Sequence, residues 1–401
     1  MGLFLVDQHK LYTYEDLLQR INATKSYIPL MQTNNLYDFF LNMILSLISD
    51  QPLILLDSDT KMNELEGIEN TDINEPKNIL FDDKADIDDL INSVLTSKSE
   101  ITIFTSGTTG QPKKVVHTIG TLTRSTRISF KYHSQIWAFA FNPTHMAGLQ
   151  VFFQAFANKN ALINVFNKNR VEVYELLSEY HVTHISATPT FYRLLLPVEK
   201  SYPEVCRVTL GGEKSNTKLY ESMLLIFPNA RINNIYAGSL FAAKGDLFQI
   251  PVELKDKIKV EDEELLIHNS LLGKSDSFSC VGDYYHSGDL IEWMDSDKGL
   301  FRFKSRKNEL INVGGYKINP GEVESVIMQF DGVQQAFVYG KPNSVLGNIL
   351  CAEIKIEEGC SLSELDIRHW LADKLQEFKI PRKIKFVENI ALTRTGKLKR
   401  T

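Results

Sequence analysis

From Ile101 onward, short apolar runs alternate with longer segments whose apolar positions recur every three or four residues. The runs ITIF, IWAFAF, ALINV, THISA, CRVTLGG and RINNIY have the length and the β-branched and aromatic content of buried strands. The segments MAGLQVFFQAFA, VEVYELLSEYH, TPTFYRLLL and SNTKLYESMLLIF lie between them and carry helical spacing, and a polar helix is expected near residues 119–132. This alternation predicts an α/β domain with a mostly parallel sheet. Ligands of such sheets bind at the carboxyl ends of the strands, where TSGTTG, LGG and YAGS fall.

The pattern changes after about residue 245. VELKDKIKVEDEELLIHNS predicts a short antiparallel piece. After Lys304, the segments ELINV, NPGEVESVIMQF, GVQQAFVYGKP, ILCAEIKI, LSELDIRHWLADKL and KIKFVE predict a compact α+β set. The expected division is a large domain over 1–304 and a small one over 305–401. Before the alternating region, FFLNMILSLI is too short to span a bilayer and reads as a buried helix. Residues 61–99 are acidic and poor in aromatics, and are expected to form loops and short surface helices.

Composition changes this picture little. The 401 residues are 43% hydrophobic and 23% charged, as in ordinary globular proteins. The 44 basic and 50 acidic residues leave a net charge of −6, so nothing global points to nucleic acid. KIPRKIKF and TRTGKLKRT form a basic end that charge alone would assign to a solvated face. Cys206, Cys280, Cys351 and Cys360 have no paired spacing, which argues against a zinc site or a disulfide framework and fits a reducing compartment. MGLFLVDQHK shows no secretion or myristoylation pattern, so a cytoplasmic location is expected.

The chemistry concentrates in TSGTTGQPKK, residues 105–114, where glycines, hydroxyls and lysines crowd together after an apolar run. Glycine lets backbone N–H groups approach a ligand, and hydroxyls and ammonium groups add donors, a set suited to a polyphosphate. The spacing is not that of a Walker loop, because Gly107 and Gly110 are too close and Lys113 is followed by Lys114. Three further motifs follow: HSGDL at 286–290, SRKNELINVGGYKINPGEVE at 305–324, and TRTGKLKR at 393–400.

Together these motifs resemble the adenylate-forming superfamily of acyl-CoA synthetases, adenylation domains and luciferase-like enzymes. The likeness runs from about Tyr12, in LYTYEDLLQRI, to the C-terminus. It implies a large N-terminal domain with mostly parallel sheets, a small mobile α+β C-terminal domain, and ATP- and Mg²⁺-dependent activation of a carboxylic acid. The acyl group would pass from acyl-AMP to coenzyme A, or to the phosphopantetheine of a carrier protein. No nucleic-acid partner and no transmembrane segment is implied. In this likeness Thr105, Ser106, Gly107, Thr108, Thr109 and Lys113 match the phosphate loop. Asp289 matches the acceptor of the ribose hydroxyls, and Arg306 the arginine that also meets the ribose. Lys397 matches the catalytic lysine, whose charge would offset that gathering between carboxylate and α-phosphate. Asn308 stands at the hinge position, where the family carries Asp or Lys. Gly314 and Gly315 would approach the thiol tunnel, and Gly211 and Gly212 the adenine and acyl group. FNPTHMAGL resembles the segment that places a histidine, here His145, near the acyl pocket, although a structural histidine fits equally. Phe141, Met146, Phe191 and Tyr192 are apolar enough to line that pocket, with core packing the default for each.

The likeness breaks at YAGSL. Tyr236 can stack on adenine and Ser239 can donate to phosphate, but Leu240 stands where the family has a metal-binding glutamate. Leucine cannot coordinate a hard cation. The metal ligands therefore stay unassigned: phosphates and water alone could serve, or another acid such as Asp246, or activity could be weak, leaving a nucleotide-binding protein.

Overall fold

The computed structural model describes residues 2–58, 60, 77–78, 86–106, 112–212, 215, 217–236, 240–244, 246–276, 278, 280–313, 316–343 and 347–391. Its large N-terminal part is built mainly on two sheets. In the central one, strands Leu3–Asp7, Ala161–Asn164, Ile136–Phe139, His184–Ala187, Arg207–Gly211 and Arg231–Tyr236 run parallel in that spatial order. The expected strands from 136 to 236 are all present, and the expected helices lie between them. Side chains on these strands are largely buried, because helices cover both faces of a parallel sheet.

Beyond Tyr236 the same sheet continues antiparallel. Phe241–Lys244 turns back on Arg231–Tyr236, followed by Leu247–Gln249, Leu300–Arg306, Tyr284–Asp295, Glu264–His268 and Ile258–Glu261. The last pair is the antiparallel piece expected after residue 245. Tyr236 thus ends the last parallel strand, at the seam between the two halves of the sheet.

The second sheet contains Leu30–Met31, Leu53–Leu55, Glu100–Ser106 and Pro112–Thr118. It corrects one expectation. The Gly-rich loop does not lead from a strand into a helix, nor does it belong to the central sheet. It joins Glu100–Ser106 to an antiparallel partner, Pro112–Thr118. Val115 and His117 of that partner face inward, whereas Lys114 is exposed. The helix expected near 119–132 shrinks to Ile119–Thr123 and a single 3₁₀ turn, Phe130–Tyr132.

Between the sheets lies the helix Leu36–Ile48, buried along most of its length and capped by Asn35, whose side chain accepts from Asp38 N–H. Its Phe40 stacks on Phe152 at 4.5 Å and meets Phe139 edge-on at 5.4 Å, so helix and sheet share one aromatic core. Helix Ile87–Thr96 adds Ile87, Leu90, Ile91 and Val94 to it, so this part of the acidic segment is anchored rather than a surface element.

The smaller C-terminal part has its own apolar core, including Val313, Ile318, Val323, Ile327, Val338, Ile354, Ile367 and Leu371. Helices Pro320–Ile327 and Glu364–Ala372 accompany a sheet of Val333–Asn343, Gly347–Ile356 and Lys383–Phe386, the α+β set expected there. Lys218, on helix Thr217–Ile226 of the larger part, reaches across to Glu357 at 3.2 Å and to the carbonyl of Val333 at 3.4 Å. Among the described residues, no helix is long and apolar enough to cross a membrane.

Candidate active site

Sheet register brings three of the expected residues together. Asp289 and Arg306 lie directly opposite each other on strands Tyr284–Asp295 and Leu300–Arg306. Arg306 Nε donates to Asp289 Oδ1 at 2.7 Å. Tyr236, at the end of the last parallel strand, donates its hydroxyl to Asp289 Oδ2. Asp289 is only 5% exposed. Burial would lower the Arg306 guanidinium, but Asp289 and then Glu309 outweigh it and hold its pKa above the usual value. The pair is therefore charged, and the carboxylate presents two oxygens in a fixed orientation. A carboxylate has about four acceptor positions, so a vicinal diol can bind while both protein donors stay in place.

The turn that presents Asp289 is built locally. Gly288 has φ +73°, a conformation that favours glycine, and Ser287 Oγ accepts from the Asp289 N–H at 3.1 Å. The Tyr236 ring packs on Phe303 at 4.1 Å between centroids and on Phe241 at 5.9 Å. One side of the ring is thus committed to the core beneath the antiparallel half-sheet.

Other expected residues lie at the same edge of the central sheet. Gly211 closes strand Arg207–Gly211 opposite Ile235, and Gly212 follows it, exposed. His145 caps helix Met146–Phe156 just beyond strand Ile136–Phe139. Its Nε2 is buried with no hydrogen-bond partner among the described residues, 3.6 Å from Asp57 Oδ2. Asp57 also accepts from Asn142 Nδ2 at 2.9 Å and from the Thr144 hydroxyl. Burial pushes the Asp57 carboxyl upward, but His145, Thr144 and Asn142 prevail and hold it below the usual range. Asp57 sits just after Leu53–Leu55 of the second sheet, so this cluster ties the ends of the two sheets together. The glycine of the His-x-x-Gly segment is a close-packing site: a Cβ on Gly148 would come within 2.3 Å of the Asn142 carbonyl oxygen.

Of the pocket candidates, Tyr192 is fully buried, with its hydroxyl on the carbonyls of Ile185 and Thr209, and so is a core residue. Phe141 is also buried in the aromatic core. Thr105 and Lys113 face each other across the hairpin, so both ends of the Gly-rich loop are placed side by side. Ser106 pairs with Pro112 one step nearer the loop. Asn308 lies in a 3₁₀ turn, Lys307–Glu309. Gly107, Thr108, Thr109, Ser239, Gly314, Gly315 and Lys397 lie outside the described residues.

Leu240 is 5% exposed in a cluster with Phe241, Phe248, Ile250 and Phe301. That setting does not fit a magnesium ligand. Asp246 does not replace it, because it is exposed and paired with Arg302 at 3.2 Å. Among the described residues, no group of three His, Cys, Asp or Glu side chains could hold a metal ion. All four cysteines are free. Asp57 and Glu264 are the polar residues sequence reasoning missed; their partners are too distant along the chain to be seen in a local pattern.

Residues 53–238 match the model of the AMP-binding enzymes, and residues 322–397 that of the AMP-binding enzyme C-terminal domain. The 2-succinylbenzoate–CoA ligase of Listeria monocytogenes is 27% identical over 340 residues, covering 76% of this chain and 69% of that protein. The ligase of the same name from Staphylococcus aureus is 25% identical, covering 74% and 65%. By sequence, the chain thus spans about two thirds of the length of these relatives. Among solved structures, ATP-bound MatB from Rhodopseudomonas palustris superposes with a TM-score of 0.76 at 16% identity, covering 99% of this chain and 94% of that one. The o-succinylbenzoate CoA synthetase of Bacillus subtilis, in complex with its acyl-adenylate intermediate, gives 0.70 at 18% identity, with the same coverage.

Proposed function

Because this chain belongs to the AMP-binding, adenylate-forming enzyme family, we propose that it activates a carboxylic acid with MgATP and passes the acyl group to coenzyme A. The observation that carries the reading is the Tyr236–Asp289–Arg306 constellation at the seam of the central sheet. It offers a buried, charged, pre-oriented carboxylate to the ribose of a nucleotide.

The carboxylate of the acid attacks the α-phosphorus, the bond to the bridging oxygen breaks, and pyrophosphate leaves. Asp289 and Arg306 hold the ribose, which fixes the α-phosphate relative to the acid and so supplies orientation. The hairpin loop after Ser106 takes the β- and γ-phosphates, with Lys113 at its mouth. Lys397 offsets the charge gathered at the α-phosphate. In the second step the thiol attacks the acyl carbonyl and AMP departs. Magnesium enters with the nucleotide, and no step is assigned to a protein-held ion. His145, 3.6 Å from Asp57, is assigned to the acyl pocket. The border of the smaller part, expected at residues 304–305, is set instead just after strand Leu300–Arg306 of the central sheet, with Asn308 as the pivot. The reaction is assigned to the cytoplasm, consistent with four free thiols.

The test is pyrophosphate–ATP exchange over a panel of acids that includes 2-succinylbenzoate, the acid in the relatives' names. Thioester formation is then followed with CoA or with a phosphopantetheinylated carrier protein. Exchange with at least one acid and transfer to CoA are expected. Nucleotide binding without exchange for any acid would instead make the protein a binder.

A further inference from the structure

We propose that Glu264 is a positioning residue that fixes the ribose clamp and anchors the chain where it enters the smaller C-terminal part. The inference rests on the nucleotide reading above. Glu264 opens strand Glu264–His268 and is 5% exposed. Its Oε1 accepts the Gly288 N–H at 2.9 Å. Its Oε2 meets Lys307 Nζ at 3.2 Å and His286 Nδ1 at 3.3 Å. Gly288 immediately precedes Asp289, and Lys307 immediately follows Arg306. One buried carboxylate therefore grips the outer neighbours of both members of the clamp.

The strand entry is shaped for this. Asp262 and Glu263 adopt left-handed backbone, φ 49° and 64°, and the pairing of Glu264–His268 with Tyr284–Asp295 shifts register between Glu264 and Leu266. Glu263 holds Lys304 at 2.8 Å, and its carbonyl accepts from Ile291 N–H at 2.8 Å. Two consecutive glutamates thus hold Lys304 and Lys307, on either side of Arg306, at the entry to the 3₁₀ turn that contains Asn308. Burial alone would push the Glu264 carboxyl upward; Gly288, His286 and Lys307 together hold it below the usual range. A buried charge is costly unless its partners are complete, and an apolar residue would serve the sheet as well. What an apolar residue would not supply is a hold on the turn that aims Asp289 and on the last residue before the pivot.

The experiment is a double-mutant cycle on nucleotide affinity. Kd for AMP is read by calorimetry and KM for ATP by pyrophosphate exchange. Glu264→Gln keeps the shape and an acceptor for Gly288 but removes the charge facing Lys307. It is expected to weaken AMP about 3–10-fold and to raise KM for ATP similarly, with a smaller change in kcat. In the Asp289→Ala background the same substitution is expected to cost less than about twofold, because the clamp it serves is gone. Full additivity, or unchanged affinity in a folded Glu264→Gln protein, overturns the proposal. If Glu264→Gln does not fold, Lys307→Met carries the same cycle, since that side chain is 62% exposed. A wild type that binds AMP but exchanges with no acid refutes the reaction and leaves the clamp measurable; one that binds no AMP overturns both.

Discussion

The Tyr236 hydroxyl donates to Asp289 Oδ2 across the seam between the parallel and antiparallel halves of the central sheet. The phenol and Arg306 hold the two oxygens of one carboxylate from opposite sides. Tyr236→Phe removes one neutral donor and is expected to raise KM for ATP about 3–10-fold. Asp289→Ala removes a charged acceptor worth about 1.5–3 kcal/mol, so affinity is expected to fall roughly 10- to 150-fold. Calorimetry with AMP on both variants checks the order. A phenylalanine variant as weak as the alanine one would show that Tyr236 does more than orient the carboxylate.

Leu240 makes a sharp case because sequence and structure suggest different outcomes. Were it a vacated metal position, Leu240→Glu would lower the Mg²⁺ concentration for half-maximal adenylation. Its packing with Phe241, Phe248 and Phe301 predicts otherwise. A carboxyl there loses water without gaining a partner, so its pKa rises and the fold loses about 2–5 kcal/mol. A lower melting temperature with an unchanged Mg²⁺ midpoint is expected. A lower midpoint at full stability would restore the metal reading.

Lys397→Ala is expected to lower acyl-AMP formation by roughly 10²-fold or more, as for the loss of one electrostatic contact to the transition state. Thioester formation from supplied acyl-AMP should fall much less. Rapid-quench assays of the two half-reactions separate these outcomes, and equal losses would assign Lys397 to both.

Acid sensitivity has an identifiable source in His117 and His184. Burial, reinforced by Arg124 for the first and Arg207 for the second, lowers each to about 4. The unfolded chain protonates near 6.5 but the folded one does not until about 4, so the unfolded state binds more protons between these values. The stability from keeping both neutral is therefore complete above about pH 6.5 and lost as pH falls towards 4, at up to about 1.4 kcal/mol per unit for each group. His184→Gln should remove one group's share of that slope. Urea midpoints from pH 7 to 4.5 measure it, and an unaltered slope would place the acid loss elsewhere.

Much of the architecture was legible because the strands of the parallel sheet are short apolar runs and the intervening helices keep their period. Strand Pro112–Thr118 escaped because its inward side is carried by Val115 and His117, while adjoining lysines give the segment a polar look. The sequence motifs named Tyr236, Asp289 and Arg306 one by one, but only sheet register shows that they touch. Asp57 and Glu264 stayed invisible for the same reason: each is an ordinary acid until its partners, 85 and 24 residues away, fold against it.

The contact of Lys218 with Glu357 also bears on the proposed pivot at Asn308. Both side chains are nearly half exposed, and such a pair is worth at most about 1 kcal/mol. That corresponds to roughly a fivefold preference between arrangements. This pair alone is therefore too weak to hold the smaller part in place against the proposed rotation. Raising the salt concentration should weaken it further without changing the chemistry of either step.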